Sequence, residues 1–504
     1  MKVYILVLLL SLFEFISSYK ILVIYPLPVK SLSILGHSVV KHLVNDGHEV
    51  TFITTHPIDK HPSKNLRQID VSANIPLLAE ASAWNISNII GHDVEEDIQG
   101  VQDLCRENAK QTFQNPNVAK LLEGDEHFDL VISDLMESEV YLGLSVLYNC
   151  PMIWIFSMGS HFQAIRLIAD PANPAYETNY YGTDVPPFTF MQRVKELFGR
   201  IKWSYYKTFH TLPLEKQLYE ETFNPLLAKR GRTLPAYEDV LYNASLMFAN
   251  EHSAIINRPS HPQNFKHIGG IHIDDPVKPL PKDLQDLMDN APHGVIYFSM
   301  GSFWRAKDLP AELVRELLKV FGQLKQKVIW KYETNLQDVP KNVHIVQWAP
   351  QPSILAHPNC KLFITHGGHH SSIESIHFGV PIIGIPVLFD QKLNVNKAVA
   401  SGYAIKLDLG YDVPTKLIEA INTMLTDEKY RVRVKELSFI YHDKQTKPGT
   451  ELVFWVRHVL KTRGAWHLRY REKVKELSVI NHDKQAKPGA ELVFWVRHVV
   501  KPPF

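Results

Sequence analysis

Five short apolar runs in the second half of the chain, GVIYFSMGS, KVIWKYE, VHIVQW, KLFITHGG and PIIGIPV, are separated by helix-like sequence. Apolar runs of this length, bounded by Gly, Pro or polar residues, suit strands buried on both faces. Strands that return after intervening helices build a parallel sheet. The first half carries the same pattern. Lys20 to Tyr25 (KILVIY), a loop, an amphipathic helix over Leu35 to Leu43, Gly47 as helix stop and the run EVTFITT make a βαβ opening, and buried strands follow at 129–133 and 151–156. With 504 residues the chain exceeds one hydrophobic core. The predicted class is therefore α/β, with two Rossmann-like, doubly wound domains facing across a cleft. Ligands of such sheets bind outside the carboxyl ends of the strands, so function is expected in that cleft.

Charge narrows the partners. Lys plus Arg total 54 against 53 for Asp plus Glu, so no global field favours nucleic acid or an anionic membrane, and an anionic ligand must be held locally. At the N-terminus, Lys2, an apolar run from Val3 to Leu12 and small residues at Ser17 and Ser18 have the layout of a signal peptide. The mature chain is expected to begin near Tyr19 in the secretory pathway, in the endoplasmic reticulum lumen or secreted. The sequons at Asn85 and Asn243 are compatible with that compartment. Cys105, Cys150 and Cys360 are widely spaced, lack a metal-ligand pattern and read as core residues.

The tail is a direct repeat: YRVRVKELSFIYHDKQTKPGTELVFWVRHVL, from Tyr430, recurs as YREKVKELSVINHDKQAKPGAELVFWVRHVV, from Tyr470. Two copies are too few for a solenoid. The apolar ELVFWVRHV is short and carries an Arg at its middle, Arg457 or Arg497, so neither copy is expected to cross a bilayer. The expected division is a leader at 1–18, an N-terminal domain at 19–275, a C-terminal domain at 276–445 and a helical segment at 446–504 that includes the duplication.

The most informative stretch runs from Trp348 to Asn394. The strand KLFIT ends at Thr365, and His366-Gly367-Gly368 opens a turn into a helix expected to start near Ser371. Glycines admit close backbone approach and a helix start favours an anion, so a phosphate or diphosphate suits this turn. Glu374, early on that helix, can accept hydrogen bonds from a ribose diol. Trp348 offers a flat face to a base. Asp390 and Gln391 supply polar groups for sugar hydroxyls. Each residue taken alone has a plainer reading: Trp348 as core, His366 as a turn residue, Glu374 as a solvated helix charge, Asp390 as a cap. Their combination points to a nucleotide sugar.

Together these residues resemble the signature of the UDP-glycosyltransferase family, its insect members in particular, and the resemblance runs over nearly all of Lys20 to Arg469. It implies the GT-B fold, a UDP-sugar donor in the C-terminal domain, a small lipophilic acceptor in the N-terminal domain and no cofactor beyond the donor substrate. By similarity Trp348 stacks on uracil, Gln351 contacts the nucleoside, His366, Gly368 and Ser371 border the diphosphate, Glu374 binds ribose, and Asp390 with Gln391 holds the transferred sugar. Gly301-Ser302 resembles the family's second phosphate-contacting turn. His369 and His370 stand where relatives more often carry apolar residues or Asn, and either add phosphate contacts or face solvent. The acceptor pocket is expected between Ala79 and Phe209.

The resemblance also exposes a gap. The family's mechanism uses an N-terminal-domain His to deprotonate the acceptor and an Asp to orient that His. Asp134 matches the Asp, but the base position falls on Leu32, which cannot take a proton. His37 lies five residues further along the helix, about 140° around its axis, and points elsewhere. His48 sits in a structural turn. Asp134 acting directly as base is one alternative. Two readings follow: a transferase conjugating glucose or glucuronate to lipophilic acceptors with inversion, weakened by the missing base, or a non-catalytic UDP-sugar-binding protein. Relatives usually end in a transmembrane helix, whose place the duplication takes here.

Overall fold

The computed structural model describes residues 18–59, 63–80, 86–91, 97–168, 173–252 and 261–468. Most of the leader, Asn85 of the first sequon and the second copy of the duplicated tail lie outside these residues.

The N-terminal sheet has seven parallel strands: β1 (Lys20–Tyr25), β2 (Glu49–Thr54), β3 (Leu66–Asp70), β4 (Leu130–Asp134), β5 (Met152–Phe156), β6 (Leu246–Ala249) and β7 (Phe265–His267), in the order β3-β2-β1-β4-β5-β6-β7. The C-terminal sheet has six: β8 (Val295–Ser299), β9 (Lys327–Lys331), β10 (Val343–Val346), β11 (Cys360–Thr365), β12 (Ile382–Gly384) and β13 (Ala404–Lys406), ordered β10-β9-β8-β11-β12-β13 and again parallel. Both orders are doubly wound. The chain reverses its direction of travel across the sheet between β1 and β4 and between β8 and β11, and these switch points are where such sheets hold ligands. The central strands are buried from end to end, as their unbroken apolar runs require.

The helices that position the clefts are α1 (Lys30–Asn45), α2 (Ile98–Gln114), α3 (Gln351–Ala356), α4 (His369–Phe378), α5 (Asp390–Ala400), α6 (Lys429–His442) and α7 (Pro448–Lys461). In α1 the stripe Leu35, Val39, Val40 and Leu43 is fully buried against the first sheet. The helix begins earlier than the periodic stripe alone suggests, which places Leu32 in its first turn. Helix α4 starts at His369, two residues before its expected start, because Gly368 takes an extended conformation (φ −60°, ψ 152°) and serves as the N-cap. At the other end Gly379 closes α4 in the left-handed region (φ 65°), a conformation suited to Gly.

Helix α6 stays with the C-terminal domain, where Val434 and Tyr441 pack in the core behind α4. Helix α7, from the first tail copy, crosses back. Leu452, Val456 and Val459 join Leu35, Val39 and Leu43 in one core cluster, and Arg457 makes a two-pronged salt bridge to Asp46 (2.7 and 2.5 Å). Gly449 is required there, since a Cβ would sit 2.1 Å from the His42 ring. No described helix is long and apolar enough to cross a membrane.

Candidate active site

A cavity of about 340 Å³ lies between the two sheets, within the range of small-ligand pockets. Its two walls differ in chemistry. The N-terminal wall is mostly apolar, with Leu27, Val29, Leu32, Val101, Leu104 and Met158, and carries Ser157 as well. It therefore draws on residues before Ala79 as well as on the region expected from sequence, because the β1–α1 segment ends at the same switch point as β4 and β5. The C-terminal wall carries Ser302, Trp348, Gln351, His366, Gly368, Ser371, Glu374, Asp390 and Gln391. All nine donor-side residues singled out in the sequence thus line one cavity.

Glu374 is not a solvated helix charge. It is buried, and its carboxylate accepts a hydrogen bond from Gln351 Nε2 (2.8 Å) and faces His272 Nε2 (3.2 Å). Gln351 Nε2 also reaches Ser371 Oγ (3.1 Å), and the Tyr297 hydroxyl donates to Gln351 Oε1 (3.2 Å). These bonds hold the carboxylate in a fixed orientation where α3 and α4 converge. His272, in the segment after β7, also stacks on His370 with ring centroids 4.3 Å apart. His370 and His369 both line the cavity, so neither is simply solvent-facing; His369 Nε2 also meets the Asn250 carbonyl of the first domain.

The glycines of the phosphate turns make room for a side chain as well as for a ligand. A Cβ on Gly301 would lie 2.3 Å from His366 Cε1, and one on Gly368 would lie 2.6 Å from His366 Nε2. The imidazole is thus seated between the two turns. Burial and, after it, the nearby Lys331 charge push the His366 pKa down to about 4, so the ring is neutral at pH 7. Burial also lowers His369 to about 4. A lysine beside these turns is Lys331, at the end of β9, whose Nζ donates to the Gly301 carbonyl (2.8 Å) and pairs with Glu333 (2.7 Å). Sequence reading passed over Lys331, although its place at the carboxyl end of KVIWK was a usable signal.

Trp348 is 48% exposed and so is not a core residue. The Lys30 ammonium lies 3.5 Å from its ring centroid, a cation–π contact between the domains, so a base stacking on that face must move the lysine aside. Asp390 is the first residue of α5. It accepts from Asn394 Nδ2 (2.7 Å) and from the His369 backbone N–H, while burial raises its pKa to about 6. The preceding Phe389 has φ 60° and ψ −143°, a conformation strained for a side chain that bears a Cβ. The strain sits where the chain must turn to aim Asp390 at the cavity. The Gln391 amide oxygen holds the turn by accepting from the N–H groups of Val387 (3.0 Å) and Leu388 (3.3 Å).

Across the cavity Leu32 forms part of the wall, whereas His37 does not. His37 Nε2 meets the His56 carbonyl at 2.6 Å. His48 is buried beside Asp46 (3.1 Å) under α7. Asp134, at the end of β4, is buried and accepts a hydrogen bond from Ser157 Oγ. Burial raises its pKa to about 7, with the Ser157 hydrogen bonds pulling it partly back. Cys105 and Cys360 are buried, Cys150 is partly buried, and all three are free thiols. Asn243 of the second sequon is partly exposed, and Ser245 is buried.

Two Rossmann-like domains with a nucleotide-suited wall opposite an apolar one define a glycosyltransferase of the GT-B type. The family model described as UDP-glucoronosyl and UDP-glucosyl transferase matches residues 20–473, and the chain belongs to that family. It is 32% identical to UDP-glucosyltransferase 2 of Dactylopius coccus over 467 residues, covering 92% of this chain and 88% of the relative. It is 29% identical to UDP-glucuronosyltransferase 2B1 of Rattus norvegicus, covering 73% of this chain and 67% of that one. Among solved structures, the calicheamicin glycosyltransferase CalG4 shares the fold at 17% identity, with a TM-score of 0.58 over 88% of this chain and 99% of its own. The protein is a transferase with a UDP-sugar donor, and its relatives include both glucosyl and glucuronosyl enzymes.

Proposed function

We propose that the chain transfers glucose or glucuronate from its UDP-sugar, with inversion, to small lipophilic acceptors in the lumen of the secretory pathway. The observation that carries this reading is the cavity's division: a hydrogen-bonded polar wall on the donor side and an apolar wall on the acceptor side. Trp348 would take the uracil, Glu374 the ribose, and His366, Ser371, Ser302 and Lys331 the diphosphate, with Asp390 and Gln391 on the sugar. The acceptor oxygen would attack the anomeric carbon from the N-terminal side while the bond to the β-phosphate oxygen breaks on the other. Removal of the acceptor proton is the step at which this chain departs from its family's mechanism.

Leu32 in the cavity wall favours a second reading, a UDP-sugar-binding protein without turnover. Loss of a general base lowers rates by about 10²–10⁴, or roughly 3–5 kcal/mol of transition-state stabilisation. Binding and turnover of UDP-glucose and UDP-glucuronate by the purified chain, against a panel of phenols and beside Leu32→His, separate the two. Turnover by the native chain supports the transferase reading. Donor binding with turnover only after Leu32→His supports the second, and no donor binding by either protein sinks both.

A further inference from the structure

The mechanistic gap is at Leu32, and the groups nearest to closing it come from the carboxyl ends of β4 and β5. These strands are parallel neighbours, with Asp134 paired to Ile155 in register, so the residue just after β5, Ser157, stands beside Asp134. Ser157 belongs to the cavity wall, as does Leu32, and its hydroxyl donates to Asp134 Oδ1. Asp134 is itself absent from the wall. A carboxylate set behind the wall and joined to it through one hydroxyl has the layout of a proton relay.

Resting on the transferase reading, we infer that Ser157 and Asp134 together replace the missing imidazole: Ser157 is a catalytic residue that takes the acceptor's proton while handing its own to Asp134. The acceptor O–H bond breaks as the serine Oγ–H re-forms, and the former serine proton binds the Asp134 carboxylate. The acceptor oxygen forms its bond to the anomeric carbon. The bond from that carbon to the β-phosphate oxygen breaks with its electron pair, leaving UDP. Asp134 releases the proton after product departs, so the cycle balances without an added reagent.

Surroundings favour the carboxylate for this role. The titratable groups facing Asp134 are Tyr25 from β1, Cys105 from α2 and Tyr141 from the turn after β4, and burial raises the pKa of each, so all three are neutral at pH 7. With no charge on these neighbours, the carboxyl itself titrates at about 7. Its base form is present above that value and lost below it, matching a proton acceptor working at neutral pH. The Tyr25 hydroxyl, buried beside Asp134 and Ser157, contributes to the same field.

The test compares phenol, which stays protonated across the range, with p-nitrophenol, which ionises near neutral pH by itself. Both are assayed with UDP-glucose and UDP-glucuronate for the native chain, Ser157→Ala, Ser157→Thr and Asp134→Asn, and donor affinity is measured in parallel. For the native chain, phenol kcat/KM rises about tenfold per pH unit below an apparent pKa near 7 and levels above it. Ser157→Ala and Asp134→Asn each lower phenol turnover by about 10²–10⁴ and remove that rise. They cost p-nitrophenol turnover less than about tenfold, and Ser157→Thr, which keeps a hydroxyl, keeps the profile. Unchanged phenol turnover and pH profile in Ser157→Ala overturn the relay, as does a native chain that binds donor but transfers to no phenol. Absence of donor binding would instead remove the transferase reading on which the relay rests.

Discussion

The two walls of the cleft are built to different standards. On the donor wall several polar side chains hold one another: Gln351 joins Ser371, Glu374 and Tyr297, and Asp390 is held by Asn394, while His366 is seated between Gly301 and Gly368. On the acceptor wall the side chains are mostly unbranched or singly branched apolar groups that touch a ligand only through packing. Directional bonds tolerate little change, whereas dispersion contacts tolerate reshaping. The comparison teaches that one wall of the cleft can hold a ligand by directional bonds while the other is free to be reshaped within the same fold.

The largest effect expected on the donor wall comes from Glu374→Ala. It removes a buried acceptor shared by Gln351 and His272, and hydrogen bonds to charged groups contribute about 1.5–3 kcal/mol. UDP-glucose affinity should fall about 10–100-fold by calorimetry, with binding of a lipophilic phenol unchanged. Equal losses for both ligands would show that the walls are not independent. A smaller effect is expected opposite. Leu104→Val removes one methylene from the acceptor wall, about 0.8 kcal/mol, so acceptor KM should rise about fourfold while donor affinity holds. A change in donor affinity would break the comparison from the other side.

The smallest effect is an expected constancy. His366 and His369 have pKa values lowered to about 4, so both are neutral above that value and neither changes charge between pH 6 and 8. The affinity for UDP-glucose, whose diphosphate keeps its charge there, should vary less than about threefold across that range. If the proposed Ser157–Asp134 relay operates, transfer to phenol should vary far more, following the Asp134 carboxyl near pH 7. A steep donor titration would show that the bound diphosphate recharges an imidazole or that Asp390, whose pKa burial raises to about 6, controls donor binding.

Much of this difference was legible in the chain itself. The donor wall is written in one stretch of sequence: Trp348, Gln351, His366, Ser371, Glu374, Asp390 and Gln391 follow the carboxyl ends of β10, β11 and β12 in three successive strand–turn–helix units, and local spacing was enough to bring them together. The pieces that escaped come from elsewhere. Lys30 and His272 reach the site across domains, and Ser157 gains its meaning only from the β4–β5 register that sets it beside Asp134. The strands β3, β6, β7 and β13 were also missed. β3 mixes charged and apolar residues at the sheet edge, and β7 and β13 have three residues each, too few for any period to show. Glycine at 301 was legible as a ligand-facing turn, but the imidazole it accommodates was not.

The return of α7 to the first domain has a consequence for how such enzymes are recombined. A chimera joined in the segment between β7 and β8 would take α7 from the donor-side parent and seat it on the acceptor-side parent. That exchange would separate Arg457 from Asp46 and Leu452 from the stripe on α1. The unit of exchange is therefore not a front half and a back half of the gene. It is a middle cassette, running from the interdomain segment through α6, inserted between two ends that must come from the same parent.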